Sequence, residues 1–350
     1  MRVLLTVSGV IPPTLADDIA RGVRPRADYL EIAAALDADL IDHTAIPSPL
    51  RKLLDRVGAT AVGFAIACFR RRKHYDVIFT DSEAVGMVYA ALSLLVWRRP
   101  RHVMIAHRLS PPKKVLVHQL LSLRRRIDHV LVYATTQRDV AIKRLGYAPE
   151  RVTVTPFMVD TAFWSSDAAP RRDRERPLIS AAGQELRDYP TLAEAARDLD
   201  ADVVLAAASP WSKRSNTAAD LDIPPNVTVT SLPPDGLRQL YADSDVVAVP
   251  LEETDFQAGI TTILEAMSMR RAIVCTRTTG QTDTIVDEVT GLYVPPGDVA
   301  AMRTAIGRLL ADAALRERLA TAARRWVEEH ADIEVYAQRL ADIVRRVGAG

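Results

Sequence analysis

Cysteine is nearly absent from this 350-residue chain. Cys68 and Cys275 each sit in an apolar stretch with no second ligand at metal spacing, which excludes a disulfide framework or a zinc site and predicts two buried thiols. Long hydrophobic runs are missing as well. The longest candidate, residues 84–97, has 14 residues, short of the roughly 20 that a membrane-spanning helix needs. No secretory leader is expected, because MRVLLTVSGV gives way at once to Pro12, Pro13, Asp17 and Asp18. These absences predict a cytoplasmic protein. What is present, 48% hydrophobic and 25% charged residues, is ordinary for a soluble globular chain of two to three domains.

The chain as a whole also lacks an excess of either charge, at +1, but its two halves differ. Residues 1–170 hold 24 Lys+Arg against 16 Asp+Glu, and the remainder 21 against 28. Between Arg51 and Arg144 the imbalance is 19 to 6, concentrated in Arg70-Arg71-Arg72-Lys73, Arg98-Arg99, Lys113-Lys114 and Arg124-Arg125-Arg126. Such clusters form either a solvated face or a surface for an anionic partner.

Short apolar runs alternate with helical patterns, the signature of βα units around parallel sheets. In the first half, strands are expected at residues 3–7, 39–42, 77–80, 103–106, 130–133 and 152–155. Residues 165–177, SSDAAPRRDRERP, carry no apolar periodicity and read as a linker. A second series follows in LISAAG, VVLAAA, VTVTS, VVAVP and AIVCT. The expected organisation is an α/β chain of two doubly wound, Rossmann-like domains, residues 1–164 and 178–325. Their carboxyl strand ends would face a shared cleft. Residues 326–350 form C-terminal helices that pack back across the domains, with Ile333, Tyr336, Leu340, Ile343 and Val347 at helical spacing.

The stretch DFQAGITTILEAM reads as a loop and then a helix beginning near Gly259. Ile260, Ile263, Leu264 and Met267 follow helical spacing as its buried face, which leaves Thr261 and Glu265 on another. Free amides at the helix start offer donors and a positive dipole end to a diphosphate. Glu265 would then meet a ribose diol about 9 Å further along. In the first half His107 ends the run VMIA, a cleft position at the carboxyl end of a strand.

From DFQAGITTILEAM through TGLYVPPGD the C-terminal half resembles the family 4 retaining glycosyltransferases of the GT-B fold, and VTVTPFMVDTAFW resembles the end of that family's N-terminal domain. The resemblance covers about 250 residues, from near Asp76 onward. It implies a retaining hexosyltransferase with a nucleoside diphosphate sugar, UDP favoured over GDP, bound to the second domain and the acceptor to the first. Glu265 would bind the ribose. Gln257, in place of the family's acidic residue, would bind the donor sugar, and the backbone at Gly183, Gly259, Ile260 and Thr261 would contact the donor. In AAGQELRDYPTL, Gln184 stands at the family's Arg position, so the diphosphate-neutralising role falls on Arg187. The resemblance also puts His107 beside the reacting sugar. No cofactor or metal is expected, since Asp243-Ser244-Asp245 reads as a loop between a helix and a strand. Gly280 reads as a turn or as part of a loop entering the cleft.

The expected partners are the sugar donor and an anionic small-molecule or lipid acceptor. No nucleic acid is expected, and peripheral contact with the inner membrane surface is an option left open by the basic first domain. Two alternatives stand beside transfer: a nucleotide-sugar epimerase, and a non-catalytic nucleotide-sugar-binding protein.

Overall fold

A computed structural model describes residues 1–206 and 223–350. The chain divides into two compact units. The first holds Met1–Ala16, Ala27–Thr155 and Glu334–Gly350, and the second Asp17–Arg26 and Pro156–Ile333.

In the first unit the strands are β1 (Val3–Thr6), β2 (Asp39–Ile41), β3 (Val77–Thr80), β4 (Arg101–Ala106), β5 (His129–Val132) and β6 (Val152–Val154). They form one sheet in the order β2-β1-β3-β4-β5-β6, with every neighbouring pair parallel. β1, β3 and β5 are buried along their whole length, because helices cover both faces of a parallel sheet. The expected strands match to within two residues. Helix Glu83–Ser93 packs so close to β3 and β4 that a Cβ on Gly86 would lie 2.6 Å from both the Met104 sulfur and Thr80 Oγ1. This helix fills only part of the apolar segment 84–97. It stops at Ser93, and Leu94, Leu95 and Trp97 emerge into solvent. The C-terminal helix Ile333–Ala349 buries Ile333, Tyr336, Leu340 and Ile343, and the Tyr336 and Tyr133 hydroxyls meet at 2.8 Å inside this unit.

The second unit repeats the plan with β7 (Leu178–Ala182), β8 (Asp202–Ala206), β9 (Val227–Thr230), β10 (Val246–Val249), β11 (Ala272–Thr276) and β12 (Leu292–Val294). Their order is β12-β11-β10-β7-β8-β9, again all parallel. The expected strand VVLAAA is β8, its last two residues lying outside the described ones. Residues 165–177 lie in this unit, tied to it by Arg171 to Asp245 at 2.8 Å and by the Arg172 amide to Asp243 at 2.9 Å. The Asp243-Ser244-Asp245 carboxylates therefore serve as arginine and backbone acceptors. Among the described residues no group of three or more His, Cys, Asp or Glu side chains is placed to hold a metal ion, and no helix is long and apolar enough to cross a membrane.

Strand order fixes where a ligand can enter each sheet. The chain reverses direction between β1 and β3 in the first unit and between β7 and β10 in the second, and open α/β sheets bind ligands outside the carboxyl ends at such switch points. Three of the four basic clusters fall at the other edge. Residues 70–73, 98–99 and 124–126 directly precede β3, β4 and β5, so they crowd the amino edge of the first sheet. Only Lys113-Lys114, in helix Pro112–Leu120, follows a strand end on the carboxyl side. The clusters expected to meet an anionic partner are thus mostly at the opposite edge of the sheet from His107.

Candidate functional site

At the second unit's switch point, β7 ends at Ala182 and the chain turns through Gly183 at φ +97°, a conformation open to glycine and strained for other residues. A Cβ there would also displace Arg187, whose Nη2 it would approach to 2.4 Å. Leu186, at φ +53°, completes the turn. Residues 186–188 then pair with 250–252, through Glu252 N to Leu186 O at 3.0 Å and Asp188 N to Pro250 O at 3.1 Å. This short bridge brings Arg187 from the end of β7 to the end of β10. Its Nε donates to Ala182 O at 2.8 Å, Nη1 to Glu185 O at 2.8 Å and Nη2 to Thr262 Oγ1 at 3.2 Å. A guanidinium has five N–H groups, so one on each terminal nitrogen is left over, the pair that can grip a phosphate bidentately.

Beside it begins helix Ile260–Ser268, whose N-cap Gly259 has φ +75° and provides no side-chain cap. A Cβ on Gly259 would crowd Val249 at 2.9 Å and stand 3.6 Å from Arg187 Nη1. Uncapped first-turn amides and a fixed guanidinium are both positive. Set side by side they repel each other mildly, and an anion between them relieves that repulsion. Ile260 is half-buried and Thr261 exposed.

Glu265 lies further along the same helix, half-buried, and Tyr241 Oη donates to its Oε2 at 3.1 Å. Burial pushes its carboxyl up to about 8, although Tyr241 and the more distant Arg187 charge both pull it down. Tyr241 is fully buried, and burial followed by the Glu265 charge holds its hydroxyl well above the ordinary tyrosine range. A ribose diol has the donors that an ionised Glu265 would accept.

Gln257 is buried, its Nε2 donating to Thr284 Oγ1 at 3.1 Å, while its Oε1 has no hydrogen-bond partner among the described residues. That oxygen is shut off from solvent, so it would meet a sugar hydroxyl only after its loop moves. The loop leading to it is braced from behind. Gly280 N donates to Thr254 O at 2.8 Å, and a Cβ on Gly280 would lie 2.3 Å from the Phe256 backbone nitrogen and oxygen. Gln281, also buried, donates to Ala258 O at 2.9 Å. Gly280 is thus a point of backbone contact as well as a turn.

His107 stands by itself in the first unit, exposed just beyond β4. Its amide donates to Glu83 Oε2 at 2.9 Å, and its Nε2 lies 3.3 Å from the Asp81 carbonyl oxygen, a contact that uses the Nε2–H tautomer and leaves Nδ1 as an acceptor. Burial raises the Glu83 carboxyl, but the Lys114 ammonium at 2.6 Å and the amide donors of His107 and Glu83 together hold it below its ordinary value. Asp81 accepts from Thr6 Oγ1 at 2.5 Å and Ser8 Oγ at 2.8 Å. Nearby Asp28 is raised, by burial first and then by the Asp81 charge.

The structure therefore gathers Gly183, Arg187, Gly259, Ile260, Thr261 and Glu265 around one switch point, with Gln257 in the adjoining loop and His107 in the other unit. Thr262 and Tyr241 escaped the sequence reading. Thr262 is one residue from Thr261, and only the helix phase distinguishes their partners. Tyr241 is joined to Glu265 across 24 residues, a pairing that no local pattern signals.

Residues 176–312 match the family described as Glycosyl transferases group 1. The chain is 26% identical over 247 residues to the alpha-D-kanosaminyltransferase of Streptomyces kanamyceticus, covering 64% of this chain and 62% of that protein. It is 31% identical over 238 residues to the D-inositol 3-phosphate glycosyltransferase of Xylanimonas cellulosilytica, covering 59% and 56%. It thus spans about three fifths of these curated relatives. Anabaena Alr3699/HepE, solved in complex with UDP-glucose, superimposes with a TM-score of 0.73 at 16% identity over 99% of this chain and 100% of that one. The chain has the GT-B fold, two six-stranded parallel sheets with flanking helices and a helical C-terminal segment.

Proposed function

We propose that the protein is a retaining glycosyltransferase of the family 4 kind, moving a hexose from a nucleoside diphosphate sugar, UDP before GDP, to a hydroxyl of an anionic acceptor. The observation that carries this reading is Arg187, fixed by three hydrogen bonds beside the bare start of helix Ile260–Ser268. Cleaving a sugar–diphosphate bond develops negative charge on the leaving group, and preorganised donors aimed at that charge are the largest ordinary source of rate. A guanidinium and a helix start supply the charge that a divalent cation supplies elsewhere, so the reaction is assigned no metal. Glu265 takes the ribose, Gln257 Oε1 a sugar hydroxyl, and His107 Nδ1 the acceptor side. A guanidinium on the departing diphosphate assists its departure whichever face the acceptor attacks, so same-face attack, which retains the anomeric configuration, rests on the family resemblance.

UDP is favoured because a neighbour of the same fold was solved with UDP-glucose. A phosphate-bearing acceptor is favoured because a relative is named for D-inositol 3-phosphate. Arg108 and the exposed Lys113, which follow His107 in the chain, would face such an acceptor. Asp81 and Glu83, two of the carboxylates near His107, are engaged by Thr6, Ser8 and Lys114, which disfavours their use in epimerisation; Asp28, whose charge also interacts with His107, is the group such a reaction would use.

The test is release of nucleoside diphosphate from a panel of nucleotide sugars, in excess EDTA. UDP release from a UDP-hexose, accelerated by a phosphorylated polyol and giving a product of unchanged anomeric configuration, is the expected result. Failure to release from any donor would leave a binding protein, interconversion of donor sugars an epimerase, and cation-restorable loss in EDTA a metal enzyme.

A further inference from the structure

We propose that the amino edge of the first sheet is a docking surface for an anionic membrane. Trp97 is 97% exposed and Leu95 78%, both in the turn that leaves helix Glu83–Ser93, and Leu120 is 72% exposed at the end of helix Pro112–Leu120. Isolated exposed leucines are ordinary on a protein surface. A bare tryptophan and a leucine on one turn, with a further leucine at a helix end on the same edge of the sheet, is the composition that settles at a bilayer interface.

Cations adjoin these side chains along the chain, Arg98 after Trp97 and Arg124-Arg125-Arg126 after Leu120. Lys73, Arg98 and Arg125 are exposed and have no acidic partner among the described residues, whereas Arg99 and Arg101 are spent on Asp128 at 2.5 and 3.3 Å. The turns are physically joined. Arg99 Nη2 donates to Arg125 O at 3.4 Å, which links the approaches to β4 and β5. Lys73 and Arg98 line one open groove of about 530 Å³ with Arg72, Arg101 and a single acid, Asp76, which accepts from the Arg2 amide; the groove links the approaches to β3 and β4. The patch therefore runs across three successive strands of the sheet.

A soluble anion would engage the cations and leave Trp97, Leu95 and Leu120 in water. An anionic bilayer satisfies both sets at once, taking the apolar tips into the headgroup layer and the cations onto lipid phosphates. Each basic residue near such a surface multiplies partitioning about fivefold at low screening. The patch lies at the opposite edge of its sheet from His107, so docking leaves the carboxyl end open to solution. This surface does not depend on the transfer reaction.

The test is flotation of the full chain with vesicles of phosphatidylcholine and phosphatidylglycerol in equal parts, against pure phosphatidylcholine. Wild type is expected to float with the anionic vesicles alone and to be released by salt. Arg98→Glu with Arg125→Glu should lower partitioning at least about tenfold, and Trp97→Ala should lower it severalfold. A blue shift of tryptophan emission on binding should vanish in Trp97→Phe. Donor hydrolysis and thermal midpoint should be unchanged in all variants, which separates lost docking from lost folding. The proposal is overturned if wild type fails to float, if neither variant changes flotation, or if flotation depends on the arginines and not on Trp97, the pattern of a soluble-anion site.

Discussion

Arg187 reaches its working position before any ligand arrives, because backbone carbonyls and Thr262 hold three of its donors. Little side-chain entropy remains to be lost when the spare N–H pair meets a diphosphate. Arg187→Ala should lower kcat about 10²- to 10³-fold, the usual cost of one preorganised donor to a developing oxyanion, with a smaller change in KM, as steady-state kinetics with a UDP-hexose would register. Glu265 presents a different problem. Its carboxyl, raised to about 8 by burial, is protonated in the free chain near neutrality, whereas a diol is best accepted by the ionised form. Binding on this account expels a proton, so UDP affinity rises with pH up to about 8 and levels off above it. Tyr241→Phe removes a bond that lowers the Glu265 pKa. It should therefore weaken UDP near neutrality and move the midpoint of the pH profile upward; an unmoved midpoint would reduce Tyr241 to a packing residue.

Elements were read from the sequence more easily than contacts. The strands VLLT, VIFT and HVLV are short apolar runs between polar segments, and burial on both faces makes each continuous. Helix Ile260–Ser268 announced its start through Gly259, but its spacing gave the buried face only in part: Ile263, Leu264 and Met267 are buried, Ile260 is half-buried, and Thr262, Ala266 and Ser268 are buried as well. Residues 84–97 were harder. Their composition is apolar throughout, and nothing local shows that packing ends at Ser93. The charge clusters were legible as clusters, and their edge follows from parallel topology once each is seen to precede a strand. What could not be read was the Gly280 contact, which depends on two loops meeting. Gly280→Ala forces a Cβ into the Phe256 backbone and should cost about 1 to 3 kcal/mol by overpacking. Urea denaturation should show this, and donor binding should suffer with it because the same loop carries Gln257.

At the scale of the molecule, two sheets of like topology share one chain, and the last helix belongs with the first sheet rather than with the one it follows. Tyr336, fully buried with its hydroxyl on Tyr133, anchors that return. Tyr336→Ala should destabilise the first unit by about 3 to 5 kcal/mol, the ordinary cost of removing a buried aromatic ring. The effect should appear as an early transition in thermal unfolding while UDP binding by the second unit persists. Charge is divided on the same scale, with the basic excess in the first half and the acidic in the second. The proposed diphosphate site nonetheless sits in the acidic half, because its positive potential comes from one arginine and a helix start rather than from net charge.

The central claim is that the β7–β10 switch point holds a nucleoside diphosphate between Arg187 and the start of helix Ile260–Ser268, with Glu265 on the ribose. Calorimetric titration of UDP and GDP into wild type, Arg187→Ala and Glu265→Ala tests it most directly. The account predicts saturable binding of at least one nucleotide by wild type. Glu265→Ala should weaken it by about 1.5 to 3 kcal/mol, the worth of a hydrogen bond to a charged group, and Arg187→Ala by a similar amount. Equal affinity in all three proteins, or no binding of either nucleotide by wild type, would contradict it.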